Sequence, residues 1–319
     1  MDRTRILRFA EMYLSQPPQT ITAFPTNRSA GGLHDFFSQA DYFWPNPSDP
    51  SGPYINRDGQ SNPDNFDDHR KAMVALSVRM PCLTAAWLRT GDRRYGNLAF
   101  AHLLAWFVVP ETRKNPNLLY AQAIQGVSTG RSIGIIDTLH LVEVARAASI
   151  LSPALLSPAD HAAVRAWFDG YLSWLCNSDR GQQERNTRNN HAMCWALQAV
   201  EFARLCDNQA VRKQVYQCYQ QTLLPDQMAL DGSFPLELAR TKPYSYSIFN
   251  LDVLACLCQS LKGLVPDPLL FHLDDGRGLA KAATFLYPFL KDKSSWKWAK
   301  DIEHFDDCRF ARRASCLLA

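Results

Sequence analysis

Apolar residues recur at helical spacing along most of the chain from Asp68 onward. Turn sequences such as Thr90-Gly91-Asp92 and Asp207-Asn208 separate neighbouring helical stretches, and no convincing strand pattern lies between them. Helices joined by such short turns pack as antiparallel pairs, and each pair buries its apolar face against the next. The pattern therefore predicts an all-α fold, an α/α toroid built as an incomplete barrel of antiparallel helix hairpins. The predicted helices cover residues 69–90, 94–108, 132–150, 158–176, 187–206, 209–223, 246–262 and 276–291.

The stretch from Pro17 to about Asp67 has no helical or strand period and is rich in Pro, Gly, Asn and Asp. It also carries several aromatic residues, which favour ordered packing over disorder. Loops of this length within a compact domain usually serve a function. We therefore predict an ordered loop or lid region over residues 18–67 of a single domain that spans residues 1–319, with a last helix pair cut short after residue 305.

The charge of the chain argues against a nucleic-acid-binding tail. Its 319 residues include 34 Lys and Arg against 31 Asp and Glu, a formal net charge of +3, and no block of five or more like charges occurs. No apolar run is long enough to span a bilayer. We therefore expect neither a nucleic acid nor a membrane as a partner. The oligomeric state stays open.

The remaining sequence signals concern location and cofactors. The N-terminus shows no export signal, so the chain as written is expected in the cytoplasm, or in the periplasm or outside the cell if the native N-terminus is missing. Nine cysteines without a CxxC pair predict reduced, buried thiols, and no metal or cofactor motif occurs, so we expect neither group. The run Gly126-Val127-Ser128-Thr129-Gly130 matches a nucleophile elbow, but no clear strand precedes it.

Two polar clusters stand out against the apolar helices. His191, Trp195 and Gln198 lie at i, i+4 and i+7 and share one face of a predicted helix. This face is either one wall of a polar cleft or the site of a hydrogen-bonded core histidine. Farther along, Arg240 and Tyr246 flank the point where a Gly- and Pro-containing loop gives way to a helix. Spacing alone also permits a surface ion pair beside a core tyrosine.

Several sequence blocks in a fixed order carry a resemblance that no single block would support. They read GGLHDFFSQADYFWPNP, GPYINRDGQSNPDNF, NPNLLYAQAIQG, GRSIGIIDT, NNHAMCW and DGSFPLELARTKPYSYSIFNL. Over roughly Ser29 to Leu290, the sequence resembles the alginate-lyase-like family of polysaccharide lyases. The resemblance implies an α/α toroid, in agreement with the helical pattern.

The resemblance also implies a reaction, β-elimination on 1,4-linked polyuronates, which makes an acidic polysaccharide the expected partner. By position, Asn190 and His191 match the family's Asn-His pair, Arg240 its cleft arginine and Tyr246 its catalytic tyrosine. Tyr244 stands where relatives often carry another aromatic residue, so we expect it to line the cleft. Trp195 and Gln198 are expected to bind substrate on the face of His191. Within the resembling blocks, the further candidates for substrate binding are Trp44, Asn115, Asn117, Arg131 and His140.

The chemistry explains these residue types. Removing the C5 proton of a uronate places charge beside an existing carboxylate, which Asn190, with His191 or Arg240, can neutralise. Tyr246 would take the C5 proton and return one to O4. Because a tyrosine has a pKa of about 10, its charged form needs positive charge nearby, and Arg240 is the candidate for supplying it. One tyrosine can serve both steps in mannuronate and glucuronate, whose C5 hydrogen and O4 bond lie on one side, whereas guluronate needs a separate base, His191.

The sequence does not choose among these polymers, and mannuronate-rich alginate or glucuronan is favoured. Two other functions stay open. A glycoside hydrolase on a similar toroid would need two carboxylates across a cleft, for which Asp231 and Glu237 are the candidates. A catalytically inactive glycan-binding paralogue would need neither carboxylates nor the tyrosine.

Overall fold

The structure is a computed structural model that describes residues 3–151, 155 and 157–306. Helices dominate it, as predicted, and the predicted last helix pair after residue 305 lies almost entirely outside the described residues. The helices are α1 (Arg3–Tyr13), α2 (Asp68–Thr90), α3 (Arg93–Phe107), α4 (Leu141–Ile150), α5 (Pro158–Asn177), α6 (Asp179–Arg185), α7 (Asn190–Leu205), α8 (Gln209–Cys218), α9 (Leu224–Gln227), α10 (Pro235–Leu238), α11 (Pro243–Ser260) and α12 (Leu279–Lys291).

Local sequence sets several of these boundaries. Gly91, with a φ of 72°, ends α2 in the left-handed conformation that glycine adopts without strain. The next residue, Asp92, caps α3 by accepting a hydrogen bond from the Arg94 amide. Ser157 caps α5 ahead of Pro158, and Asn189 caps α7. The predicted turn at Thr90-Gly91-Asp92 is confirmed.

The helices form two rows. In the inner row α2 packs on α4, α4 on α7, and α7 on α11. In the outer row α1 and α3 lie on α2, while α5 and α8 lie on α7. Helix α7 is central, and among its residues only His191 and Arg204 are not buried. This double row of paired helices is the α/α toroid that the hydrophobic pattern predicts.

Four short strands depart from the prediction of a fold without strands. β1 (Phe37–Gln39) pairs in parallel with β4 (Tyr120–Ala123), and β2 (Phe43–Trp44) pairs antiparallel with β3 (Ile55–Asn56). Strands of two to four residues are too short to show an alternating pattern. Because β4 precedes Gly126, the statement that no strand leads into the apparent nucleophile elbow was wrong. The pair β1–β4 is nevertheless a sheet of two strands, and no α-helix directly follows the run, as such an elbow requires.

Two predicted helices are interrupted, and four of the described helices were not predicted. The stretch 132–150 splits into a 3₁₀ segment (Ser132–Thr138) and α4. Gly134 lets this segment lie close to β4, because a Cβ at that position would stand 2.6 Å from the Ala121 Cβ. The stretch 209–223 ends in a π turn (Tyr219–Leu223). Helices α1, α6, α9 and α10 were missed. Among the described helices none is long and apolar enough to cross a bilayer.

Candidate active site

The carboxylate of Glu237, in α10, is hydrogen-bonded to the first turn of α7. Glu237 accepts hydrogen bonds from both the backbone amide and Nδ2 of Asn190, each at 2.7 Å. Burial raises the pKa of Glu237, and these two hydrogen bonds oppose that rise. Asn190 has no exposed surface, and its Oδ1 lacks a partner among the described residues. The predicted contact between its amide and a substrate carboxylate is therefore not available in this conformation, which corrects that prediction.

His191 follows Asn190 and turns its ring toward α6. Its Nδ1 lies 2.7 Å from Oε1 of Glu184, in the last turn of α6, and Glu184 is fully buried. Burial raises the pKa of this carboxyl group, and the hydrogen bond to His191 opposes the rise. The His191 side chain keeps 16% of its surface exposed, and its Nε2 has no hydrogen-bond partner among the described residues. Nε2 is therefore the nitrogen that a ligand can reach.

Tyr246 lies in the first turn of α11 with two partners at its hydroxyl. Nη2 of Arg240 donates to its Oη at 3.1 Å, and the guanidinium carbon stands 4.2 Å from the centroid of its ring. The hydroxyl of Tyr42 lies 2.8 Å from the same oxygen. Burial and this hydrogen bond raise the pKa of Tyr42, so Tyr42 stays a neutral phenol. The structure thus brings together the predicted pair Arg240 and Tyr246 and adds Tyr42.

The predicted lid region supplies the support for Arg240. Asp58 accepts hydrogen bonds from Nη2 of Arg240 at 2.8 Å and from Oγ1 of Thr241 at 3.0 Å. Burial alone would raise the pKa of Asp58, but the adjacent guanidinium outweighs it and the pKa is lowered. Asp58 and Tyr42 therefore fasten the N-terminal loop region to the turn that begins α11.

Electrostatic interactions connect the two halves of the site. Burial raises the pKa of Glu237, and the charges of both Arg240 and His191 oppose that rise, so this carboxylate interacts with both. Arg131, a predicted substrate-binding residue, interacts in turn with Glu184. Its Nε donates to the backbone oxygen of Gln122 at 2.9 Å, and its Nη1 has no partner among the described residues. The predicted residues His191, Arg240 and Arg131 thus share one charged region.

Beneath this region lies a set of buried polar residues that the sequence analysis missed. Asp137 accepts hydrogen bonds from Ser38 and from Nε2 of Gln122, and it pairs with Arg70. Gln122 has a φ of 55°, a rare conformation for a residue with a Cβ and one that is often retained at functional sites. Arg70 also pairs with Asp41 at 2.5 Å. Because these partners come from β1, β4 and α2, no local motif reveals them.

Three predicted substrate-binding residues lie in the core instead. Trp195 is 3% exposed and donates its indole N–H to the backbone oxygen of Leu175. Gln198 is fully buried and bonded to Thr138. Tyr244 is 1% exposed, with its hydroxyl directed to the backbone oxygen of Phe289. Their assignment to the cleft was wrong, because the buried side of a helix shows the same spacing as a cleft wall.

The other predicted binding residues are partly accessible but differ in setting. Trp44 is half-buried in β2, bonds to Gln60 and lies against Arg57. Asn115 donates to Asp35, while the backbone oxygens of Asn115 and Asn117 accept hydrogen bonds from Lys114. These contacts fix a turn beside α3. His140 is exposed and immediately precedes α4. Their predicted contact with substrate remains a prediction.

The carboxylates required by a hydrolase do not face each other across a cleft. Glu237 is 1% exposed and has both oxygens bonded to Asn190. Asp231 is exposed and accepts a hydrogen bond from the Ser233 amide within its own turn. The described residues also contain no group of three or more His, Cys, Asp or Glu that could hold a metal ion. The site instead contains a tyrosine, Tyr246, whose hydroxyl oxygen accepts a hydrogen bond from the Arg240 guanidinium.

The family assignment comes from a sequence match over most of the chain. The sequence pattern of the family "Alginate lyase" matches residues 20–296. The chain belongs to the alginate lyase family. A member of this family is a polysaccharide lyase, and the α/α toroid agrees with this assignment. Among curated proteins, none matches the chain.

Solved structures of this family are similar to the present fold. An alginate lyase from Bacteroides ovatus is 30% identical with a TM-score of 0.91, and the match covers 99% of this chain and 84% of the other. Alginate lyase A1-III from Sphingomonas species A1 is 14% identical with a TM-score of 0.56, covering 97% and 86%. A variant of alginate lyase A1-III complexed with a tetrasaccharide is 14% identical with a TM-score of 0.58, covering 92% and 77%. At 14% identity, the last two comparisons show a similar fold and nothing more.

Proposed function

We propose that this chain cleaves 1,4-linked polyuronates by β-elimination, with mannuronate-rich alginate as the favoured substrate and glucuronan as the closest alternative. The observation that carries the proposal is the position of the Arg240 guanidinium, 3.1 Å from the Tyr246 oxygen. A phenolate at Tyr246 is stabilised there by positive charge and by the neutral hydroxyl of Tyr42. Tyr246 can therefore act as a general base.

The first step neutralises the carboxylate of the uronate that loses its C5 proton. Nη1 of Arg240 has no partner among the described residues, so it can donate to this carboxylate while Nη2 serves Tyr246. Removing one preorganised donor of this kind typically costs about 3 to 4 kcal/mol at the transition state. Asn190 can reach the substrate carboxylate only if its hydrogen bonds to Glu237 break.

The second step moves one proton. Tyr246 accepts the C5 proton, the electron pair left behind forms the C4=C5 double bond, and the C4–O4 bond breaks. The protonated Tyr246 then returns a proton to O4 of the leaving sugar. Because one oxygen serves both transfers, this route fits mannuronate and glucuronate, whose C5 hydrogen and O4 bond lie on the same side. The tetrasaccharide bound to the alginate lyase A1-III variant supports an oligosaccharide as the ligand class.

The products test the proposal. The purified chain is incubated separately with polymannuronate, polyguluronate and glucuronan, while absorbance in the near ultraviolet and new reducing ends are followed together. We expect both signals to rise on polymannuronate, because elimination leaves a double bond conjugated to the carboxylate. Reducing ends without absorbance would indicate hydrolysis and contradict the proposal. Silence on all three polymers would contradict it as well.

A further inference from the structure

We propose that Asp301 is a positioning residue, which holds Tyr246 in place for proton transfer by fixing the first turn of α11. Asp301 belongs to the segment that follows α12, far from α11 in the sequence. The inference rests on the proposed function, because Tyr246 is the proposed base. It follows from the hydrogen bonds that this segment makes with the start of α11.

The start of α11 has no capping side chain of its own. Lys242 stands before the helix, and its side chain has no acceptor atom. Pro243, the first helical residue, has no amide proton. The next two amides, those of Tyr244 and Ser245, have no acceptor within the helix. The helix that carries Tyr246 therefore needs another part of the chain to complete its first turn.

Asp301 supplies both missing acceptors. Its Oδ1 accepts a hydrogen bond from the Tyr244 amide at 2.9 Å, and its Oδ2 accepts one from the Ser245 amide at 3.0 Å. The Ser245 hydroxyl also donates to Oδ2. Asp301 is 6% exposed, so these bonds are shielded from water. One buried carboxylate, favoured there by the helix dipole, thus satisfies the two amides that directly precede Tyr246.

The two residues after Asp301 bind the turn that precedes α11. The Ile302 amide donates to the backbone oxygen of Thr241 at 3.2 Å. Glu303 accepts a hydrogen bond from Nζ of Lys242 at 2.8 Å. Three consecutive residues of one segment are therefore hydrogen-bonded to the turn and to the helix start.

Aromatic packing fixes the segment that carries Asp301 to the helix that it caps. The ring of Trp296 meets that of Tyr244 edge-on, with centroids 5.0 Å apart, and it packs against Trp298 at 4.7 Å. Phe305 follows Asp301 in the sequence, and its ring centroid lies 5.6 Å from that of Tyr244. Because the segment is held on both sides of Asp301, its carboxylate can fix the position of α11.

The position of Tyr246 matters because its oxygen must meet two partners at once. Nη2 of Arg240 lies 3.1 Å from this oxygen, and the hydroxyl of Tyr42 lies 2.8 Å from it. Both partners belong to segments outside α11, so a shift of the first turn of α11 would lengthen these bonds. A displacement of about 1 Å can lower a rate about 100-fold. Asp301 therefore acts on the reaction through the helix backbone.

Four proteins test the inference: wild type, Asp301→Ala, Asp301→Asn and the control Asp92→Ala. Asp92 caps α3, a helix of the outer row, through a hydrogen bond from the Arg94 amide. Turnover on polymannuronate is measured by absorbance, at a temperature at which circular dichroism shows each protein to be folded. We expect Asp301→Ala to lower kcat about 10- to 100-fold while the Michaelis constant changes less than about threefold.

The conservative variant and the control separate positioning from a general loss of stability. Asp301→Asn keeps one acceptor oxygen, so its kcat should lie between those of wild type and Asp301→Ala. Asp92→Ala should unfold at a lower temperature than wild type but keep the wild-type kcat. An unchanged kcat in Asp301→Ala, or a similar fall in Asp92→Ala, would overturn the inference and leave the proposed function standing.

Hydrogen exchange tests the contact without turnover. In Asp301→Ala, the amides of Tyr244 and Ser245 should exchange about 10-fold faster than in wild type, while the amides of α7 keep their rates. If Asp301→Ala does not fold, Asp301→Asn decides, since at least one of the two amides should then exchange faster. Unchanged rates would overturn the inference. Silence of wild type on every polymer would instead contradict the proposed function on which the inference rests.

Discussion

The hydroxyl oxygens of Tyr42 and Tyr246 lie 2.8 Å apart, although 204 positions separate the two residues in the sequence. One belongs to the N-terminal loop region and the other to the first turn of α11. Because burial raises the pKa of Tyr42, this residue keeps its proton and can donate it as a hydrogen bond to a phenolate at Tyr246. The loop region thus supplies a hydrogen-bond partner to the proposed base.

Replacing Tyr42 with Phe removes only that hydroxyl. A hydrogen bond to a charged group contributes about 1.5 kcal/mol or more, so kcat should fall about 10-fold. The Michaelis constant should change little, because the lost interaction concerns the charged form of Tyr246 during the reaction. Steady-state absorbance assays on polymannuronate measure both quantities. Unchanged kcat would show that the contact does not stabilise the base.

Replacing Asp58 with Asn removes the charge that holds Arg240 beside Tyr246. The guanidinium is then free to leave the Tyr246 oxygen, and we expect kcat to fall about 10-fold, the effect of losing one charge-assisted hydrogen bond. Asp49→Asn is the matched control, because Asp49 is exposed and lies in the same loop region. Equal activities of the two variants would refute this role of Asp58.

Lys114 gives a prediction for pH dependence. It is completely buried, its Nζ donates to the backbone oxygens of Asn115 and Asn117, and burial lowers its pKa to about 7. In the unfolded chain its pKa is about 10.4, so between these values the unfolded state binds more protons than the folded state.

The stability of wild type relative to Lys114→Met should therefore rise with pH. The expected slope is about 1.4 kcal/mol per pH unit between pH 7 and pH 10, because a proton that the folded state lacks is lost from the unfolded state. Urea unfolding of both proteins at several pH values measures the difference. Taking the difference removes the contributions of other titrating groups. A constant difference would mean that the pKa of Lys114 is not lowered.

Gln198 was predicted to bind substrate but is bonded to Thr138 and to the backbone oxygen of Ile135. Gln198→Leu leaves those buried groups without partners, so the free energy of unfolding should fall by about 1 to 3 kcal/mol. The Michaelis constant should stay the same. Urea unfolding and saturation kinetics on one preparation decide the matter. A raised Michaelis constant with unchanged stability would show that Gln198 binds substrate after all.

The sequence predicts the fold well because helical periodicity reports burial directly. It predicts less of the site, because the same periodicity appears in a helix that is buried on every side. His191 and Trp195 share a face of α7, yet only His191, in the first turn, reaches the polar region, while Trp195 lies deeper in the core. Position along the helix, which the spacing does not encode, separates the two.

The supporting residues of the site could not be found from sequence. Glu184 precedes His191 by 7 positions, but a helix end and a turn intervene, so no helical spacing relates them. Asp58 and Tyr42 reach Arg240 and Tyr246 only through folding of the N-terminal loop region. Pairings over such distances follow from tertiary packing, whereas the Asn-His pair and the loop before α11 form local patterns.

The comparison of Tyr246→Phe with Tyr244→Phe tests the central claim most directly. Both residues are tyrosines of the first turn of α11, but the Tyr244 hydroxyl is buried against Phe289 and the Tyr246 hydroxyl carries the proposed chemistry. On polymannuronate, Tyr246→Phe should lower kcat by about 1000-fold or more while still binding an oligomannuronate, and Tyr244→Phe should retain turnover at somewhat lower stability. Substantial turnover by Tyr246→Phe would contradict its assignment as the base.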